Sequence, residues 1–243
     1  MIFSSDMNSK KTKAKLVKSI DPLLKLMARL RSPNGCPWDR EQDHDSIKQC
    51  LIEEVYEVVE AIESGDMETL CDELGDLLLQ VVFHAQLAGE RNDFGFYDVV
   101  DRISEKLVRR HPHVFGKNRL GDSGAVLAQW ERIKTDERKK AGKRTRSSLD
   151  HIPAHLPALL RSEKLLKKAA KAGLHSASWD ETVGQISKKL RKTRKVIGSE
   201  ELGDILLGLA DLARQLRLEP EQLLRDANRR FERRIRKLEK AQT

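Results

Sequence analysis

The sequence predicts an all-α chain built from two related helical units. Three observations carry that expectation. Aromatic residues make up only 5% of the chain and β-branched residues are sparse beside abundant Leu, Ala, Lys, Arg and Glu, a composition that favours helix over sheet. Apolar residues recur with the 3.6-residue period of helices that bury one side. Two motifs also recur in the same order: Trp38-Asp39 is echoed by Trp179-Asp180, and Asp72-Glu73-Leu74-Gly75-Asp76-Leu77-Leu78 by Glu200-Glu201-Leu202-Gly203-Asp204-Ile205-Leu206, the mark of a duplicated unit. A length of 243 residues leaves each unit room for a core, and 14 Gly with 7 Pro exclude collagen-like and Pro/Gly-rich disordered classes.

Residues 1–20 read as a basic tail, with five lysines between Lys10 and Lys18 and no apolar stretch of the kind that heads a secretory signal. A cytoplasmic protein is expected. The longest nearly apolar run, Leu77 to Phe83, is interrupted by Gln80 and is far short of the roughly 20 residues that span a bilayer, so no membrane association is expected. Cys36, Cys50 and Cys71 have no CxxC spacing and are expected as buried or half-buried thiols rather than a disulfide framework or zinc site.

The first unit is expected over residues 21–140. Apolar residues at 47, 51, 55, 58 and 62 predict a helix that Asp45 or Ser46 can cap. Glu63-Ser64-Gly65-Asp66 breaks the pattern, and Asp66 can cap a second helix carrying Leu70, Leu74, Leu77, Leu78, Val81 and Val82. So short a connection predicts an antiparallel hairpin. A third helix, near Tyr97 to Arg110, should stop before Pro112. A fourth runs from about Ala125 to Lys140. Residues 141–157 look like a linker, and residues 158–243 form the second unit. Charge separates the halves: residues 1–150 hold 25 Lys+Arg against 26 Asp+Glu, whereas 151–243 hold 21 against 12.

Glu53, Glu54 and Glu57 share one edge of the first hairpin helix, and Glu73 and Asp76 stand three apart on the second. Facing antiparallel helices can bring such pairs together, and four carboxylates in one place require a cation. Between Lys48 and Arg91 there are eleven acidic residues and no basic one, so this is not the mixed surface of a solvated helix. Oxygen-only ligands suit a hard ion, and Mg²⁺, which shares its coordination with substrate phosphates, fits best. A di-iron bundle would need Glu-x-x-His pairs on the helices, and the only such spacing, Glu41 to His44, precedes them. His84 on the second helix reads as a packing or helix-edge histidine.

These residues resemble the all-α nucleoside triphosphate pyrophosphatases, and within them the MazG family. The likeness rests on the acidic motifs at 53 to 57 and 72 to 76, and on Gly35-Cys36-Pro37-Trp38-Asp39-Arg40-Glu41-Gln42. It also rests on Arg109-Arg110-His111-Pro112-His113-Val114-Phe115 and on Trp130-Glu131-Arg132-Ile133-Lys134. It implies Mg²⁺-dependent hydrolysis of a nucleoside triphosphate between the α and β phosphates, giving a monophosphate and pyrophosphate. It makes Glu54, Glu57, Glu73 and Asp76 the metal ligands, with Glu53 a neighbouring catalytic carboxylate. Lys106, Arg109, Arg110 and Lys134 then become candidates to meet the phosphates, or else plain surface charge, and Trp130 either a surface for the base or a packing residue. Trp38 is read as a pocket wall or as core, and His111 and His113 as substrate contacts or helix-terminating residues. The resemblance also implies a homodimer, because helical hairpins of this family complete their cores by pairing.

The second unit follows the family's second repeat through Glu200 to Leu206 and Asn228 to Arg234, but departs at the first acidic motif, where this chain reads Ile186-Ser187-Lys188-Lys189-Leu190-Arg191-Lys192. Glu201 and Asp204 lack glutamate partners, and the lysines are expected to face them, so metal binding there should fail. The alternative reading makes the chain a nucleic-acid-binding or regulatory module that uses the basic second half. Only Phe231 stands near the basic run Arg229 to Lys240, so base-stacking aromatics do not interleave with it and nucleic acid is not favoured.

Overall fold

The structure, a computed structural model, describes residues 19–116, 119–140, 147–175, 177–192 and 198–242. Among them are eleven helices and no strand. In order these are α1 (Asp21–Leu30), α2 (Pro37–Glu41), α3 (Lys48–Ser64), α4 (Met67–Glu90), α5 (Phe96–Arg110), α6 (Pro112–Phe115) and α7 (Ser123–Lys140), followed by α8 (Ala158–Lys171), α9 (Trp179–Lys192), α10 (Ser199–Gln215) and α11 (Pro220–Gln242). The chain divides into Met1–Thr135 and Asp136–Thr243, a cut that falls within α7. Most of the basic tail and residues 141–146 of the expected linker lie outside the described residues.

Local chemistry fixes the α3–α4 hairpin. Gly65 ends α3 at φ 75°, a left-handed conformation glycine adopts without a Cβ clash, and its N–H reaches the carbonyls of Ala61 and Ile62. Asp66 follows at once as the N-cap of α4, its carboxylate accepting from the backbone N–H of Glu68 at 3.0 Å and Thr69 at 3.3 Å. The entry to α3 differs from the expectation. Neither Asp45 nor Ser46 caps it; the N-cap is Ile47, without a side-chain cap bond. Asp43 instead accepts from the N–H groups of Asp45 and Ser46 at 2.9 and 2.8 Å, placing the polar turn earlier and leaving Ile47 free to be buried.

In the first unit α4 is the central helix, touched by α1, α3 and α5. Met27, Ile47, Val82, Phe83 and Leu87 form the core, with Leu23, Leu24, Leu79 and Phe96 packed around it. Arg31 binds this core to the loop that follows α1. Its guanidinium pairs with Glu90 through two 2.7 Å bonds, donates to the Asp39 and Gln42 carbonyls, and lies 5.5 Å from the Phe83 ring centroid. The loop turns back tightly at Gly35, where a Cβ would collide with the carbonyl oxygens of Leu30 and Arg29. Trp38 on α2 is 57% exposed, so the core reading of that residue is excluded. Cys71 is exposed rather than buried, whereas Cys36 and Cys50 are half-buried as expected.

In the second unit α10 takes the central place, packing against α8, α9 and α11. Asp211, 2% exposed, accepts from Arg214 Nε at 2.6 Å and Gln215 Nε2 at 3.1 Å, and lies 2.9 Å from His175 Nε2. Burial raises its pKa, but the bonds from Arg214, His175 and Gln215 outweigh it and hold the carboxyl below its ordinary value. A depressed folded pKa means that this contribution is intact above pH ~4 and disappears as pH falls through the lowered value.

Two stability tests follow. Arg31→Met removes the guanidinium bonds to Glu90 and to the Asp39 and Gln42 carbonyls, leaving Glu90 with Gln86 alone, and is expected to cost about 2 kcal/mol, read as a lower Tm in thermal unfolding. Asp211→Ala strands the Arg214 charge and is expected to cost about 3 kcal/mol. Between pH 6 and pH 3 the wild type should then lose more stability than this variant, and equal losses would show that the carboxylate carries none of the acid sensitivity.

Candidate metal centre

The hairpin register brings Glu54 and Glu57 of α3 to Glu73 of α4. One carboxylate oxygen from each lies within 4.8 Å of the others. Two burdens raise the pKa of Glu54: first burial, then a hydrogen bond with Glu57 and the charges of Glu57, Asp76 and Glu73. Glu73 is raised likewise, by burial first and then by Glu57, Asp76, Asp72 and Glu60. Like charges held this close disfavour ionisation, and a cation between them removes the penalty.

The donor set fits a hard divalent ion. Every offered atom is a carboxylate oxygen, the donor type that hard divalent ions take. Asp76 is exposed and contributes to the repulsion on both Glu54 and Glu73. Glu53 is exposed, faces the neighbouring edge and accepts from Gln49 Nε2 at 3.2 Å. Among the described residues no second group of three such ligands appears.

The basic and aromatic candidates fall into two sets. Lys106, Arg109 and Arg110 occupy the last two turns of α5, where Lys106 and Arg109 are exposed and Arg110 half-buried. On α7, Lys134 Nζ lies 4.6 Å from the Trp130 ring centroid and bonds Glu131 at 2.9 Å. One face of Trp130 is therefore already covered, and the His111 ring stands 6.0 Å from it, with His113 beyond His111 at 5.6 Å. The indole Nε1 is buried without a hydrogen-bond partner.

Periodicity did not reveal the pairing of His44 with His84. Their Nδ1 atoms are 2.8 Å apart, the ring planes differ by 4° and the centroids are 5.1 Å apart. Two imidazoles joined nitrogen to nitrogen in one plane have this separation, so the rings meet edge to edge and share a proton. Burial, then the neighbouring His44, pushes His84 below the usual imidazole range. His84 is thus tied to the loop before α3 rather than placed at a helix edge. The sole sequence signal was the Glu41–His44 spacing.

In the second unit Asp204 pairs with Lys189, so a fixed ammonium stands beside the aspartate at the position matching Asp76. Glu201 behaves differently from the expectation that lysines face it. Its carboxylate turns back to the start of α10, where Gly198 is the N-cap and a Cβ on Gly198 would lie 2.5 Å from Glu201 Oε2. The side chain of Lys192 lies outside the described part of the chain. Among the described residues no helix is long and apolar enough to cross a membrane.

Comparison with known proteins places the chain in a family. A sequence model of the MazG nucleotide pyrophosphohydrolase domain matches residues 42–115, the span that holds all four acidic candidates. The chain is 45% identical over 231 residues to the nucleoside triphosphate pyrophosphohydrolase of Escherichia coli (strain K12), covering 91% of this chain and 87% of the relative. It is 40% identical over 223 residues to the nucleoside triphosphate pyrophosphohydrolase/pyrophosphatase MazG of Thermotoga maritima, covering 90% and 85%. A match to the nucleoside triphosphate pyrophosphohydrolase of Mycolicibacterium smegmatis, 42% identical, spans 154 residues and 45% of that protein. With an all-α fold, a converged acidic hairpin and likeness along most of its length, the chain belongs to the MazG family of nucleotide pyrophosphohydrolases.

Proposed function

We propose that this enzyme hydrolyses nucleoside triphosphates between the α and β phosphates, giving a nucleoside monophosphate and pyrophosphate, with Mg²⁺ held by Glu54, Glu57, Glu73 and Asp76 in the cytoplasm of its cell. The class of activity, nucleoside triphosphate pyrophosphohydrolysis, follows from family membership. The observation that carries the site is the convergence of Glu54, Glu57 and Glu73 within 4.8 Å. When bound, Mg²⁺ supplies the positive charge that neutralises the triphosphate and steadies the charge developing on the leaving pyrophosphate.

The chain's own groups do the rest. Burial, then the neighbouring carboxylates, holds Glu54 and Glu73 above their ordinary carboxyl range, and a cation between them would relieve the repulsive part. Glu53, next to these ligands but outside their cluster, orients the attacking water and accepts its proton. Lys106, Arg109 and Arg110 meet the phosphate oxygens. Lys134, held over the Trp130 ring and on Glu131, reaches a phosphate only by leaving both, and in doing so frees the ring face for a base.

The chemistry belongs to the first unit, residues 21–140. The second unit, residues 158–243 beyond the linker at 141–157, is a degenerate copy: Lys189 occupies the charge balance of Asp204, and Glu201 is spent on its own helix terminus. The working form is a homodimer. Ile52 and Val55 on α3, Leu74, Leu78 and Val81 on α4, and Val100, Ile103 and Leu107 on α5 are all more than a third exposed, more apolar surface on three neighbouring helices than a monomer ordinarily leaves to water.

Glu54→Gln and Glu73→Gln should each lower Mg²⁺-dependent pyrophosphate release by at least a hundredfold across a panel of nucleoside triphosphates, while Glu201→Gln stays near wild type. The same two variants should raise the Tm of the metal-free protein, because a repelling charge is gone, and abolish the further rise that Mg²⁺ gives the wild type. Normal turnover in both would defeat the assignment. Sedimentation at micromolar concentration should show a dimer, and Leu78→Glu should shift it to monomer.

A further inference from the structure

We propose that the second unit carries a metal-independent binding site for a polyphosphate chain, on the face of α9 turned away from α10. The two faces of α9 separate cleanly. Thr182, Ile186 and Lys189 point to α10: a Cβ on Gly208 would lie 3.0 Å from Ile186 Cγ1 and 3.9 Å from Thr182 Cγ2, and Lys189 pairs with Asp204. At about 100° per residue, Gly184, Ser187, Lys188 and Arg191 fall on the opposite side within an arc of about 100°. These four line a cavity of about 500 Å³.

The polar groups of that lining suit an anion, with Asp180, one turn before Gly184 on the same face, the acidic residue at its N-terminal end. Gly184 leaves its floor open, with nothing within 4 Å of where a Cβ would stand. Ser187 offers a hydroxyl, Lys188 an ammonium and Arg191 a planar fork that grips two phosphate oxygens at once. Neither Lys188 nor Arg191 has an ion-pair or hydrogen-bond partner among the described residues, in contrast to Lys189. Along α9 itself, Lys188 to Lys192 holds four basic residues and no acidic one. The acidic remnant of the ancestral motif does not oppose an anion here, because Asp204 is neutralised on the other face and Glu201 is folded back on Gly198.

Two considerations select a polyphosphate. A single exposed ion pair is worth little, so unpaired cations on an open face retain a ligand that carries several charges close together. The volume suits a compact molecule, and none of the described lining residues is aromatic, so stacked bases of a nucleic-acid strand find no platform. The shared chemistry is a chain of phosphates, whether free or attached to a nucleoside.

The test is calorimetric titration of the full-length chain in excess EDTA, which disables the metal-dependent hairpin. Inorganic tripolyphosphate should bind, more weakly as ionic strength rises. Lys188→Ala and Arg191→Ala should each weaken binding about tenfold, a double change to Glu should remove it with the helical circular dichroism intact, and Glu54→Gln should leave it unchanged. Adenosine should not bind. ATP binding tighter than tripolyphosphate identifies the nucleotide as the occupant, and equal affinity identifies the bare chain. Absence of tripolyphosphate binding, binding indifferent to Lys188 and Arg191, or affinity for a single-stranded oligonucleotide that grows with its length and exceeds that for tripolyphosphate would each overturn the proposal.

Discussion

The mutual repulsion of carboxylates between α3 and α4 is the constraint around which the first unit is arranged. Glu73 lies in the second turn of α4, and the buried residues of that helix begin only at Gln80. From Glu73 to Val82 the rise along the axis is about 13 Å. The core of Met27, Ile47, Val82, Phe83 and Leu87, braced by Arg31 on Glu90, therefore grips the far half of the helix. The hairpin can hold like charges together because its stability is generated elsewhere. The same separation leaves the acidic half thinly packed, with Leu74 and Leu78 open to water, so a cation between the carboxylates and a partner against the apolar residues would stabilise the same stretch of helix.

Much of this hairpin was legible in the sequence because short-range rules fix it. Gly65 and Asp66 set where one helix ends and the next begins, and so set which turn of α3 faces which turn of α4. Once that register is fixed, pairs of carboxylates spaced three apart converge without help from the rest of the chain. Pro112 ended α5 for an equally local reason. What could not be read depends on partners far apart in sequence. Arg31 meets Glu90 across 59 residues and His44 meets His84 across 40, and no periodicity encodes either contact. The cap of α3 was misplaced because burial of Ile47 outweighed the capping preference of Asp45 and Ser46, leaving Asp43 to satisfy the loop. The exposure of Trp38 was open for the same reason, since a short helix after a tight turn can present its tryptophan to either side.

The two units show one scaffold under opposite electrostatic regimes. α4 and α10 each pack as the central helix of their unit and carry the same Leu-Gly-Asp step, Leu74 to Asp76 and Leu202 to Asp204, about one turn nearer the helix start in α10. In the first unit the facing helix offers glutamates, which leaves the hairpin in deficit until a cation arrives. In the second it offers Lys189 to Asp204, and the glutamate that would have completed a metal site becomes a helix-terminus partner, where a carboxylate is favoured by the unpaired N–H groups and the helix dipole. With lysine on the facing helix, the charge of Asp204 is answered within the unit.

That exchange also redistributes the surface charge. A lysine engaged by Asp204 is less available to an outside anion, whereas Lys188 and Arg191, on the opposite side of the same helix, have no ion-pair partner among the described residues. Four positions of α9 therefore separate internal neutralisation from external attraction by rotation about the helix axis alone. The second half holds 21 Lys+Arg against 12 Asp+Glu, and among its carboxylates Asp204 is engaged by Lys189 and Asp211 by Arg214 and His175. On one helix, then, Lys189 answers a charge inside the unit while Lys188 and Arg191 lie on the opposite side, and the two sets differ only by rotation about the axis.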